Sequence, residues 1–187
     1  MNPTEPPTRS LLVLGGARSG KSHYAQKLAE SSGARPVIIA TAQAHDAEMR
    51  VRIARHAAER GSGWTLVEEP LALVAALQRE ARPGRIVLVD CATLWLSNLL
   101  LREDDCAAAT AELAASLPRV GGPCIIVSNE VGGGIVPDNA LARAFRDAQG
   151  SLNQALAEAC GAVVQICAGL PLQLKPGVAP RLRFDGG

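Results

Sequence analysis

Gly15-Gly16-Ala17-Arg18-Ser19-Gly20-Lys21-Ser22 follows the apolar run Leu11–Leu14 and opens a helix-length segment, Lys21–Ser31. It matches the pattern GxxxxGK[ST] in full. Glycines at these places permit a turn whose backbone N–H groups converge on phosphate oxygens at a helix N-terminus. Lys21 is placed to reach the β- and γ-phosphates, and the Ser22 hydroxyl to ligate Mg²⁺. The bland alternative is a glycine-rich turn with an incidental lysine. Ordinary residue frequencies produce the pattern by chance in on the order of 1% of chains this long, and its position between an apolar run and a helix reduces that further. The stretch predicts a nucleoside triphosphate site, and with it the fold.

Working outward, short apolar runs recur at Val37–Ala40, Ile86–Val89, Cys124–Val127 and Ala162–Ile166. Runs of four or five residues that are apolar throughout read as strands covered on both faces of a parallel sheet. Helix-length segments separate them: Ala47–Arg60, Leu71–Arg82, Asp105–Leu117 and Leu141–Cys160. The alternation predicts an α/β domain with a mostly parallel central sheet and helices on both faces. Trp64–Val67 and Leu170–Lys175 are candidate extra strands, the second at an edge. Residues 1–10 read as a short disordered lead-in, and 11–187 as one domain. Ligands in such sheets bind beyond the carboxyl ends of the strands. The loops of interest are therefore Gly15–Ser22, Thr41–Asp46, Asp90–Asn98 and Ser128–Asp138.

Composition narrows the function. Among 187 residues, 48% are hydrophobic and 20% charged, and 19 basic against 18 acidic side chains leave a net charge of +1. That balance supplies no broad field for nucleic acid or an anionic membrane, and 3% aromatic residues argue against stacking on single-stranded bases. No apolar stretch is long enough to cross a bilayer, and the N-terminus lacks the apolar core of a signal peptide. Cys91, Cys106, Cys124, Cys160 and Cys167 are odd in number and never spaced CxxC. They read as small core residues in a reducing cytoplasm.

A metal partner for Ser22 is expected at Asp90, the carboxylate that ends the run Ile86–Val89; capping of the next helix is the plainer role for it. Three histidines are present. His23 reads as packing or solvent-facing, and His45 lies just before a plausible helix cap, Asp46. His56 differs, because Arg52, His56 and Arg60 stand at i, i+4 and i+8 and form one helical stripe beside Met49, Ile53 and Ala57. Two guanidiniums flanking an imidazole suit an anion, and neutral imidazole can carry a phosphoryl or nucleotidyl group. A solvated basic helix face with a stray histidine is the competing reading.

Taken together, GGARSGKS (Gly15–Ser22), IATA (Ile39–Ala42), the histidine helix (Asp46–Arg60), WxxxE (Trp64–Glu68), VDCATLWLSNLL (Val89–Leu100), VSNEVGGGIVP (Val127–Pro137) and RxFRDxxGxxNQ (Arg143–Gln154) resemble the bifunctional adenosylcobinamide kinase / adenosylcobinamide-phosphate guanylyltransferase family. The resemblance runs in order over about residues 11 to 175. It implies a RecA-like P-loop fold, a homotrimer, and two reactions. In the first, adenosylcobinamide is phosphorylated with ATP or GTP; in the second, GMP passes from GTP to adenosylcobinamide-phosphate through a guanylylated histidine, here His56. Some members carry two adjacent histidines in this stretch, where this chain has Arg55 before His56. Nucleotide contacts carried over fall on Gly15, Gly16, Ala17, Arg18, Ser19, Gly20, Lys21 and Ser22, on Ala40, Thr41 and Ala42, on Ala57, Ala58, Glu59 and Arg60, and on Glu68 and Asp90. Glu68 rests on the resemblance alone. Asn129, Glu130, Arg143, Arg146 and Asp147 are left between substrate, turn-forming and surface roles. The competing functions are a monofunctional small-molecule kinase with His56 idle, and a RecA-like ATPase that binds nucleic acid.

Overall fold

The computed structural model describes residues 8–43 and 63–177. Among these, β1 (Ser10–Gly15), β2 (Arg35–Ala40), β3 (Thr65–Glu68), β4 (Arg85–Asp90), β5 (Cys124–Asn129), β6 (Ala162–Cys167) and β7 (Leu170–Lys175) form one sheet. Its order is β3-β2-β4-β5-β1-β6-β7. Every pairing is parallel except that of β6 with β7. The helices are α1 (Lys21–Ser31), α2 (Leu73–Glu80), α3 (Ala92–Leu101), α4 (Cys106–Ser116) and α5 (Ala140–Ala159). The expected helix Ala47–Arg60 lies outside the described residues, and with it His45, Asp46, Met49, Arg52, Ile53, Arg55, His56 and Ala57–Arg60.

The strands are apolar on both faces because both faces are covered. Leu12, Val37, Ile39, Val87, Val89 and Ile126 face one way, into a core shared with Leu73, Leu77, Leu96, Leu113, Leu152 and Leu156 of α2 to α5. Leu11, Val13, Ile38, Leu88, Ile125 and Val127 face the other way, toward Ala25 and Ala29 of α1. Alternate residues thus feed opposite layers, as the pleat demands. Local signals fix the helix starts: Asp105 accepts from the backbone N–H groups of Ala107 and Ala108, and Asn139 from that of Ala142.

Three sequence expectations are corrected. Asp90–Asn98 is not a loop, since α3 begins at Ala92. This helix buries Ala92, Thr93, Trp95, Leu96, Asn98 and Leu99, nearly all round its circumference, so no amphipathic stripe announces it. The stretch Ser128–Asp138 begins in β5, whose last residues Ser128 and Asn129 pair with Leu14 and Gly15. Ser10, expected in the lead-in, is already in β1, and its hydroxyl accepts from the Gly161 N–H at 3.1 Å; residues 1–7 of the expected lead-in lie outside the described residues.

All five cysteines are free, but only Cys91, Cys124 and Cys160 are the buried core residues expected; Cys106 is half-buried and Cys167 exposed. Burial pushes the Cys124 thiol up to about 12 and those of Cys91 and Cys160 up to about 11, with the charge of Asp90 adding to the effect at Cys91. These folded-state values exceed the ordinary 9.0, so the stability they carry is complete below about pH 9 and is lost as pH rises through them. Each ionising thiol costs on the order of 1 kcal/mol per pH unit in that window. Urea midpoints measured from pH 8 to 10.5 are expected to fall less steeply for Cys124→Ala than for the parent chain. Parallel profiles would show that burial of this thiol does not govern alkaline stability.

Candidate active site

β1 delivers the phosphate loop to the carboxyl edge of the sheet, between the ends of β5 and β6. Two glycines there are required by space and conformation. A Cβ on Gly15 would stand 2.5 Å from Ser19 Oγ and 2.8 Å from the Ile166 carbonyl oxygen. Gly20 has φ +95° and lies against Gly169, whose Cα would be 3.3 Å from an added Cβ. Arg18 also takes a left-handed conformation, φ 56°, which completes the curl of a phosphate-binding nest. The loop is held on both flanks. Glu130 donates its backbone N–H to the Gly15 carbonyl at 3.0 Å, and Gly169 donates its own to the Ser19 carbonyl at 2.8 Å.

Lys21 opens α1, is 7% exposed, and donates from Nζ to the Gly16 carbonyl at 3.0 Å. Its ammonium therefore lies over the loop. Ser19 Oγ is buried with no hydrogen-bond partner in the structure, which leaves a donor within the cradle for a phosphate oxygen. Ser22 Oγ stands 3.4 Å from Asp90 Oδ1, so the predicted metal pair is brought together. A hydroxyl and a carboxylate are hard oxygen donors that suit Mg²⁺, which takes few protein ligands and completes its shell with water and phosphate. Among the described residues no group of three or more His, Cys, Asp or Glu stands close enough to hold a metal by itself.

The remaining predicted residues line up along the same edge. Ala40 is in register with both Asp90 and Glu68, and Gly15 with Asn129. Glu68 is four strand steps from Gly15, about 19 Å at the usual spacing. Thr41 is fully buried. Its hydroxyl donates to the Cys91 carbonyl at 2.7 Å and accepts from the Cys91 N–H at 3.0 Å, so its side chain ties the end of β2 to the turn after Asp90. His23 lies exposed on α1. The other two histidines and Ala57–Arg60 are outside the described residues.

Sequence reading missed a buried polar cluster behind this edge. Ser128 Oγ donates to Asn153 Oδ1 at 2.7 Å, and Gln149 Nε2 donates to Ser128 Oγ and Asn153 Oδ1, both at 2.9 Å. Asn153 Nδ2 donates to the Asn129 carbonyl at 2.9 Å, and Thr93 Oγ1 accepts from the Asn129 N–H at 2.7 Å. The signal was available: Gln149, Leu152, Asn153 and Leu156 occupy one buried stripe of α5, so two amides interrupt an otherwise apolar face. The cluster fixes the end of β5 against the phosphate loop. Asn153→Leu strands the donors of Ser128 and Gln149 and the Asn129 carbonyl, and is expected to lower unfolding free energy by about 2–4 kcal/mol. Equilibrium denaturation checks this, and a loss under 1 kcal/mol would mean the cluster is slack.

Comparison with known proteins sets this geometry in context. A family model described as cobinamide kinase / cobinamide phosphate guanyltransferase matches residues 11–174. The chain is 53% identical over 167 residues to the bifunctional adenosylcobalamin biosynthesis protein CobP of Pseudomonas aeruginosa, covering 88% of this chain and 96% of that one. It is 36% identical over 180 residues to the bifunctional adenosylcobalamin biosynthesis protein CobU of Escherichia coli, covering 88% and 99%. Among solved structures, an ATPase of a bacterial type III secretion system superposes with a TM-score of 0.52 at 10% identity, over 84% of this chain and 50% of that one. The flagellar accessory protein FlaH of Methanocaldococcus jannaschii gives 0.50 at 11% identity, over 84% and 70%. At such identities the likeness speaks for the fold alone, and it is the P-loop, RecA-like α/β fold expected from the sequence.

Proposed function

The chain belongs to the cobinamide kinase / cobinamide phosphate guanyltransferase family, and from that premise we propose that it catalyses two consecutive transfers in cobalamin biosynthesis. In the first, the aminopropanol hydroxyl oxygen of adenosylcobinamide attacks the γ-phosphorus of ATP or GTP. The bond to the bridging oxygen breaks, the nucleoside diphosphate leaves, and the hydroxyl proton passes to solvent. In the second, the His56 imidazole attacks the α-phosphorus of GTP and pyrophosphate leaves. A phosphate oxygen of adenosylcobinamide-phosphate then displaces the imidazole from phosphorus, giving adenosylcobinamide-GDP and restoring the histidine.

The observation that carries this reading is the juxtaposition of Lys21, Ser22 and Asp90 at one strand edge, inside a chain that matches the family over residues 11–174. Lys21 balances charge developing on the transferred phosphoryl group. Ser22 Oγ and the Asp90 carboxylate would hold Mg²⁺, which supplies charge neutralisation along the triphosphate when bound. A nucleotide laid along the strand ends, phosphates in the loop, extends past Asp90 toward Ala40–Ala42 and Glu68. Arg52 and Arg60, four residues before and four residues after His56 in sequence, would grip its phosphates. Free buried thiols support a reducing, cytoplasmic setting. Leu170, Leu172 and Leu174 alternate along one face of the edge strand β7 and are 71%, 59% and 44% exposed; this apolar face supports assembly with further copies, and the number three is what the family resemblance implies.

Incubation with α-³²P-GTP followed by denaturing electrophoresis tests the reading. Label that survives base, is lost in acid and is chased onto a corrinoid by adenosylcobinamide-phosphate is the expected result, because a phosphoramidate is acid-labile. Full kinase turnover without any label would leave a monofunctional kinase.

A further inference from the structure

Beyond the nucleotide edge, the segment 132–136 folds over the N-terminal half of α5 and leaves a cleft of about 480 Å³, lined by Gly132, Val136, Arg143, Arg146, Asp147 and Gln154 among others. That volume lies in the range of small-molecule sites. Arg146 Nη2 donates to the Gly132 carbonyl at 2.8 Å. Arg143 Nη1 donates to the carbonyls of Pro137 and Asp138 at 2.9 and 2.8 Å. Each guanidinium carries five N–H donors, so both keep several unspent. Among the described residues neither has a carboxylate partner, although Asp147 lines the same cleft. The cleft is thus cationic on balance, with an apolar wall at Val136, which is 63% exposed.

Its place matters as much as its chemistry. The segment leaves the sheet at Asn129, in register with Gly15, and Glu130 is bonded to the phosphate loop itself. Asn153 on α5 holds the Asn129 carbonyl from behind. The cleft therefore opens a few residues from the loop that cradles the triphosphate. A group that receives phosphate and then attacks a nucleotide must be held at that range.

We propose that this cleft seats the corrinoid acceptor, with Arg143 and Arg146 gripping the phosphate monoester that it carries in the second reaction. The acceptor suits the lining. Its phosphate matches paired guanidiniums, its peripheral amides find Asp147 and Gln154 as acceptors, and its macrocycle edge can rest on Val136. The cleft is too small to enclose the whole macrocycle, so most of the ring would stay outside. The inference rests on the proposed transferase activity and adds the acceptor site to it.

Phosphate chemistry here could also come from the triphosphate, and the experiment separates the two. Arg143→Gln, Arg146→Gln and Arg146→Lys are compared with the parent chain for self-labelling from α-³²P-GTP alone, then for transfer of the label to adenosylcobinamide-phosphate. Tenfold or greater increases in the acceptor KM for the Gln variants, partial recovery with Lys, and self-labelling within twofold of the parent are expected. The KM for unphosphorylated adenosylcobinamide in the kinase step should rise less. An acceptor KM within twofold of the parent overturns the proposal. So does self-labelling that declines in parallel, which would assign the arginines to GTP or to folding, and so does altered sedimentation with unchanged KM, which would assign the face to subunit contact. Absence of label in the parent chain would instead count against the transferase activity itself.

Discussion

Lys21→Ala is expected to lower kinase turnover by at least about 100-fold, the equivalent of about 3 kcal/mol of lost transition-state stabilisation. Lys21 is 7% exposed and holds the Gly16 carbonyl at 3.0 Å. Its stem is therefore packed, and its ammonium is already directed over the cradle. A charge fixed there costs no reorganisation when negative charge builds on the transferred group, whereas water replacing it must reorient. The loss should fall mainly on kcat, because the backbone nest still binds phosphate. Thermal melting of the variant separates this from collapse of the loop. Kinase activity within threefold of the parent, with an intact fold, means that the loop is not the phosphoryl-transfer site.

The second large effect is qualitative. His56→Ala is expected to abolish covalent labelling from α-³²P-GTP while leaving kinase turnover measurable. Under the proposed sequence only the nucleotidyl half reaction forms a bond to imidazole, and no other side chain on the Arg52–Arg60 stripe is a neutral nucleophile near pH 7. His23 is exposed on α1, one residue past Ser22. Label persisting in the variant at more than about a tenth of parent levels would move the covalent step to His23 or His45 and sink the assignment.

The frame of the site was legible because its elements obey short-range rules. Five apolar runs became β1, β2, β4, β5 and β6 with their ends displaced by a residue or two, and GGARSGKS fell where a strand meets a helix. The approach of Ser22 to Asp90 was legible for the same reason: Asp90 ends its strand, and the strand ends share an edge. What escaped was tertiary. The helix α3 is wrapped in protein on almost every side, so its sequence shows no period. Thr41, Gln149 and Asn153 look like surface polar residues until the sheet edge and α5 are brought together around them. Glu68 was reached only by family resemblance, because a lone acidic residue at a strand end carries no signature of its own. The arginine cleft depends on how 132–136 folds back, which no local rule dictates.

The reversed direction of β7 has a further result. Ala168 and Gly169, both with positive φ, turn the chain in two residues between Cys167 and Leu170, as tight hairpins do. A parallel strand in that position would have needed a crossover of a dozen residues or more, returning from the far side of the sheet. The hairpin instead sets its tip beside Ser19 and Gly20, where it makes one backbone hydrogen bond and one close glycine contact. Only Ala168 and Gly169 thus separate the end of β6 from the outermost strand, and Gly169 itself bonds the loop. Leu170, the first residue of the exposed leucine face of β7, is next in sequence to the glycine that bonds the Ser19 carbonyl of the loop.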